Sequence, residues 1–197
     1  ASGDTVVVNS DGTVSVVAGV AEGFGSPVVF DTSVGISHSA VYDANAQKVV
    51  IIYRDYGNSN YGTAIVGTVS GTSISFGTAV VYENADATQN SCTFDSNSNK
   101  VAIAYTDAGN SGYGTLIFGA VSGTSISFET PVVFETASTS FTFITYDTNA
   151  QKVAIAYTDA GNGSKPTSIV FQPGSTNLTA ENFIGIASNG YATGQAA

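Results

Sequence analysis

Apolar residues in this chain recur at every second position or in unbroken runs, and nowhere at the three-and-four spacing of a helix. Residues 39–82 give the clearest stretch. Ser39–Asp43 (SAVYD) alternates as a short strand, and Asp43–Gln47 (DANAQ) is a turn, because Asp and Asn side chains bond nearby backbone. Lys48–Tyr53 (KVVIIY) is a continuous run rich in β-branched residues, the pattern of a strand covered on both faces. Asp55–Asn58 (DYGN) turns the chain, with Gly57 expected to supply positive φ. Tyr61–Val69 is a third strand with Gly67 as a point of close approach, and Ser70–Thr72 turns it. Ser73–Tyr82 returns as a fourth strand, broken near Gly77 because the equivalent stretches carry Pro27 and Pro131. Turn signals about every 8–12 residues are the all-β rhythm.

This pattern is written three times. KVVIIYRDYGN starts at Lys48, and KVAIAYTDAGN at both Lys100 and Lys152, a step of 52 residues each time. Asp43, Asp95 and Asp147 share the step, as do Val28, Val80 and Val132. Four antiparallel strands in a unit of about 40–50 residues is the size of a β-propeller blade. The expected fold is therefore all-β, built of tandem four-stranded antiparallel repeats and propeller-like, with a β-solenoid or stacked β-sandwiches as alternatives. The expected boundaries are one repeat domain over 1–197: a half repeat 1–27, repeats 28–79, 80–131 and 132–183, and a tail 184–197. Upstream, Gly19 aligns with Gly71 and Phe24 with Phe76. Downstream, Phe171–Gly174 departs from the repeat, and 177–184 keeps only its apolar rhythm, the drift expected of a capping unit.

Composition removes several classes of function. The 197 residues, 43% hydrophobic and 11% aromatic, suit one globular domain with a real core. A net charge of −10 opposes binding to nucleic acid and docking on anionic membrane. No apolar run approaches the roughly 20 residues that span a bilayer, so no membrane insertion is expected. The chain begins at Ala1 and contains no Met, which points to processing or excision from a longer polypeptide. The single Cys92 excludes an internal disulfide and takes an apolar slot shared with Ala40 and Ile144, as a buried thiol would.

The units YDxNxxKVxIAYxDxGNSxYGT and VSGTSISFxTPVVF, with the tail NLTAENFIGIASNGYATGQAA, resemble tandem repeats of virion-associated and tail-fibre-like proteins of marine bacteriophages. The likeness covers about residues 13–195. It implies a structural or host-recognition part of a virion, extracellular in location, that assembles with itself or with other virion proteins. Tyr105–Gly109 also bears a faint likeness to the Asp-box turn of sialidase-type propellers. It lacks the Ser or Thr two places before the Asp, so no sialidase activity is carried over.

Candidate chemistry is sparse, and no enzyme and no cofactor are expected. His38 is the only imidazole, and it aligns with Asn90 and Thr142 in a slot that reads as polar surface. Most acids recur in every unit, whereas catalysis needs one site, so a glycoside hydrolase with paired carboxylates is a distant third reading. Asp55, Asp107 and Asp159 read as turn caps and only weakly as calcium ligands, since the dense alternating acids of a calcium loop are missing. Lys48, Lys100 and Lys152 read as solvated strand caps or weak ion pairs. Asn162-Gly-Ser164 and Asn177-Leu-Thr179 are formal glycosylation acceptors. In an up-and-down sheet, variable loops 31–39, 83–91 and 135–142 share one face with the Asp-x-Gly-Asn turns. There Tyr56, Asn58, Tyr61, Asn110 and Tyr113, with His38, form a candidate surface for a cell-surface glycan, since rings and amides suit sugars. The leading expectation is a non-enzymatic virion module, with a carbohydrate-binding module as the alternative.

Overall fold

The computed structural model describes residues 6–16 and 22–173. A small hairpin comes first, β1 (Val6–Val8) with β2 (Val14–Val16). The body is β3 (Gly35–Asp43), β4 (Lys48–Asp55), β5 (Tyr61–Ser70), β6 (Ser73–Phe76), β7 (Val80–Asp95), β8 (Lys100–Asp107), β9 (Tyr113–Ser122), β10 (Ser125–Phe128), β11 (Val132–Asp147), β12 (Lys152–Asp159) and β13 (Lys165–Phe171). These strands form one antiparallel path in the order β13-β12-β11-β9-β8-β7-β5-β4-β3, with β6 flanking β5 and β10 flanking β9. The all-β, antiparallel expectation holds. So does the break after Phe76, where β6 stops and β7 begins at Val80. The expectations for Gly19, for 177–184 and for the tail 184–197 lie outside the described residues.

Alternation along each strand sorts side chains onto two faces. Val50, Ile52, Ala64 and Val66 on β4 and β5 pack in one buried cluster with Val101, Ile103 and Ile117 on β8 and β9. The opposite faces of β8 and β9, with Ala102, Ala104, Leu116 and Phe118, meet Val153, Ile155 and Tyr157 on β12, with Phe171 of β13 packed against them. The β8 run is therefore buried on both sides, which is why it reads as continuous apolar text.

One expectation is corrected here. Segments 83–91 and 135–142 are not loops; they lie inside the 16-residue strands β7 and β11, and β3 begins at Gly35. β7 pairs with β5 over its first part (Val80 with Ala64) and with β8 over its second (Asp95 with Lys100). Just beyond the change of partner, register shifts fall between Thr88 and Ser91 and between Ser140 and Phe143, and β3, paired with β4, has the equivalent shift between Ile36 and Ser39. Each shift contains one residue of positive φ, at Ser37, Gln89 and Phe141. A bulge leaves a residue unpaired, and Gln89 and Phe141 there are exposed, so the text at these positions varies.

Gly57 is also not the positive-φ residue of its turn; Ser59 (φ 57) and Asn60 (φ 66) are. Residues 56–58, 108–110 and 160–162 form single 3-10 turns. Glycine is needed at their centre for space: a Cβ on Gly109 would stand 2.4 Å from the Cβ of Ala85, and one on Gly161 2.7 Å from that of Ala137. Gly67 meets its expectation, since a Cβ there would lie 2.7 Å from Ile74 Cδ1.

Candidate functional site

The 3-10 turns and the bulged starts of β3, β7 and β11 lie together, as the glycine contacts just described require. Aspartates cap the turns. Asp55 Oδ1 accepts from the amides of Gly57 (2.9 Å) and Asn58 (3.2 Å), Asp107 from Asn110 (3.1 Å) and Asp159 from Asn162 (3.2 Å). All three are buried, and each commits an oxygen to backbone that would otherwise lack a partner. Among the described residues no group of three His, Cys, Asp or Glu side chains is placed to hold a metal ion. The earlier turn behaves likewise: Asp43 Oδ1 accepts from Asn45 and Ala46, and Asp95 Oδ1 from Asn97 and Ser98.

The predicted glycan residues divide between neighbouring turns. Tyr56 and Asn58 stand exposed on the first, and Asn110 on the second. Tyr61 and Tyr113 are half-buried at strand starts, Tyr61 opposite Asp55 and Asp86, Tyr113 opposite Asp107 and Ser138. The chain's one arginine joins the first group. Arg54 lies 4.9 Å from the Tyr56 ring centroid, reaches the Tyr56 hydroxyl at 3.2 Å and pairs with Asp86 at 2.5 Å. The structure thus brings Tyr56, Asn58 and Tyr61 to one turn edge and repeats a plainer version at Asn110 and Tyr113.

His38 is placed elsewhere, edge-on to Phe30 (centroids 6.0 Å) and roughly parallel to Tyr53 (6.3 Å) in a cleft of about 210 Å³ with Asp31 and Gly35. Its slot is not surface in the other units: Asn90 and Thr142 are buried where β7 and β11 change partners. His38 itself is exposed, beside Phe30 and the buried Tyr53. Cys92, expected to be fully buried, is partly covered; its Sγ lies 3.3 Å from Ser39 Oγ, and burial pushes the thiol up to about 11. Lys100 fits its expectation, pairing with Glu129 at 2.6 Å on the surface.

Sequence reasoning missed the most regular polar contact. Tyr53 donates to Asp31 (2.7 Å), Tyr105 to Glu83 (2.9 Å) and Tyr157 to Glu135 (3.1 Å). Each ring also meets an aromatic neighbour edge-on, with centroids at 5.3, 5.3 and 5.2 Å for Phe30–Tyr53, Tyr82–Tyr105 and Phe134–Tyr157. Burial first, then the adjacent carboxylate, raises all three phenols, Tyr157 to about 12. Asp31 moves the other way, lowered chiefly by the Ser33 amide and then by the Tyr53 hydroxyl. The signal was present, since acids at 31, 83 and 135 keep the same step as the tyrosines. A phenol held protonated against a carboxylate is neither nucleophile nor base near neutral pH.

Compared with known proteins, the chain matches no family model and no curated sequence.

Proposed function

We propose that this chain is a non-enzymatic structural or host-surface-recognition module of a phage virion, part of a tail fibre or capsid appendage, with its 52-residue units arranged in a propeller-like succession. One observation carries the non-enzymatic part: the recurring polar groups are committed to holding the fold. Aspartates cap turns in each unit, and Asp31, Glu83 and Glu135 each receive a tyrosine hydroxyl. In neither set does a pair of carboxylates stand free of these bonds to act as acid and nucleophile, the arrangement glycoside hydrolysis uses. Sheet faces that meet through two successive apolar clusters support the repeat reading, and rigid stacking suits a part that must hold its shape outside a cell. The virion assignment itself rests on the sequence resemblance.

A second reading, a carbohydrate-binding module, draws on the exposed Tyr56 and Asn58 beside half-buried Tyr61, with Asn110 and Tyr113 one unit on. Both readings are separated by assaying the purified chain on a panel of chromogenic glycosides and on an array of bacterial surface glycans. The structural reading expects no turnover and no binding. Binding that disappears in a folded Tyr61→Ala/Tyr113→Ala variant would favour the glycan reading, and turnover of any substrate would sink both. For the virion role, peptides of this chain should band with particles in a density gradient; finding them only in the soluble lysate would overturn it.

A further inference from the structure

We infer that copies of this chain dock end to end, the outer face of β12 and β13 of one copy seating on the outer face of β3, β4 and β5 of the next. The same junction is made twice inside the chain, and the C-terminal end displays one unmatched half of it. The N-terminal end displays the part of the other half around Tyr42 and Val69, since Tyr53 and Ile65 of that face are already covered.

At the C-terminal end, Leu116 and Phe118 of β9 are buried beneath β12 and β13, at 0% and 8% exposure. One step of 52 residues onward, Ser168 and Val170 of β13 occupy the same face, and Val170 is 59% exposed. Ala102 and Ala104 are fully buried, while their counterparts Ala154 and Ala156 are half-buried and exposed. At the other end, Phe94 and Val121 pack against the first cluster, while their counterparts Tyr42 and Val69 are 55% and 56% exposed. Shallow depressions mark both ends, about 180 Å³ against Phe143, Ala154 and Ser168, and about 210 Å³ against Phe30, His38 and Tyr53.

The backbone edges match as well. β5 pairs with β7 (Ala64 with Val80, Thr63 with Val81), and β9 pairs with β11 in the same register (Leu116 with Val132, Thr115 with Val133). Continuing that register sets Ser168 opposite Val28 and Thr167 opposite Val29 of a second copy. Among the described residues, β13 has only β12 as a strand neighbour, and Val28 and Val29 lie outside any strand at 43% and 77% exposure. Unpaired edges of this kind are templates for added strands.

A second copy is the occupant because it alone brings the surface already fitted to each half. The segments that make up the C-terminal face, 143–145, 154–156 and 168–170, contain no charged residue. The face differs from its internal counterparts in carrying Phe143 where Ser39 and Ser91 accept the amides of Cys92 and Ile144. That exchange makes the outer junction more apolar than the inner ones. Because the two halves are different surfaces, the contact is heterologous and yields a ring or an open filament. Each copy carries a net charge of −10, so added salt should strengthen the association.

The test is sedimentation of the full chain from about 1 µM to about 1 mM, the range in which interfaces of modest affinity populate. Mass should rise in multiples of the 20.0 kDa chain. Val170→Lys and Val69→Lys each place a charge on one half at an already exposed site, and each should weaken assembly at least about tenfold, as loss of a central apolar contact does. Mixed one to one, the two variants should stop at a dimer, since each retains the half the other has lost. Circular dichroism checks folding, and Phe143→Asp with Tyr42→Asp replaces the pair if either lysine variant fails to fold. A monomer throughout the range overturns the inference, as does an oligomer insensitive to both substitutions. An oligomer sensitive to Val170→Lys alone overturns it too, because that is a two-fold pairing of C-terminal faces.

Discussion

Tyr105 donates its hydroxyl to Glu83 across 2.9 Å while its ring meets Tyr82 edge-on at 5.3 Å. The two partners are adjacent in sequence, so one short stretch of β7 holds the ring by packing and its hydroxyl by charge. Tyr105 is fully buried, and a buried hydroxyl costs stability unless it finds an acceptor. The carboxylate answers that need from the strand that links one group of strands to the next.

Tyr105→Phe should destabilise the protein by about 1.5–3 kcal/mol, the range for a hydrogen bond to a charged group. Ile103→Ala, which empties a site with no exposure in the first cluster, should cost about 2–5 kcal/mol. Urea unfolding of both variants checks the ordering. If Tyr105→Phe is neutral, the Glu83 contact contributes nothing to stability.

Gly109→Ala should destabilise by about 1–3 kcal/mol, because its new methyl meets Ala85 at 2.4 Å in a place with little room to give. Ala85→Gly should recover part of that loss when the two are combined. A double-mutant cycle reads the coupling, and strictly additive effects would mean that the turn and β7 do not press on each other.

Gln47, at φ 55, closes the turn between β3 and β4 in the left-handed region. Gln47→Gly should raise stability by about 0.5–1 kcal/mol, since relief of the side chain's strain outweighs the added freedom of the unfolded chain. Thermal unfolding measures it. A lower melting temperature would show that the Gln47 side chain contributes contacts worth more than that strain.

Burial raises the Cys92 thiol to about 11 from an ordinary 9.0, so the native state holds the proton more tightly than the unfolded chain does. Stability from this group is full below about pH 9 and is lost as pH rises through about 11. Alkylation of the native protein by iodoacetamide should show its midpoint near 11, and in urea nearer 9. Equal midpoints would place the thiol in water. Cys92→Ala should remove this part of the alkaline loss of stability.

Much of this protein was readable before any fold was known, for local reasons. The run KVAIAY encloses its own evidence, because a strand covered on both faces needs apolar groups at odd and even positions alike. The turn aspartates were readable too, since a carboxylate two or three residues from the amides it accepts acts within one stretch of chain. The bulged segments 83–91 and 135–142 were misread as loops because varied polar text marks a bulge as readily as a loop, and only pairing with β8 or β12 tells them apart. The glycan candidates were placed by type and turn, and the structure set Arg54 over Tyr56 and moved His38 to an open end.

The sequence by itself determined the strand class, the buried central strand of each unit, the capped turns and the step of 52 residues, because alternation and turn chemistry act over a few residues. Tertiary structure alone decided which acid each tyrosine meets, why Gly109 cannot carry a side chain, and which apolar faces are covered and which lie open. Those outcomes depend on distances between strands that the chain brings together from tens of residues apart. Phe118 and Val170 hold the same position in the repeat, and only the presence of a neighbouring sheet buries one and exposes the other.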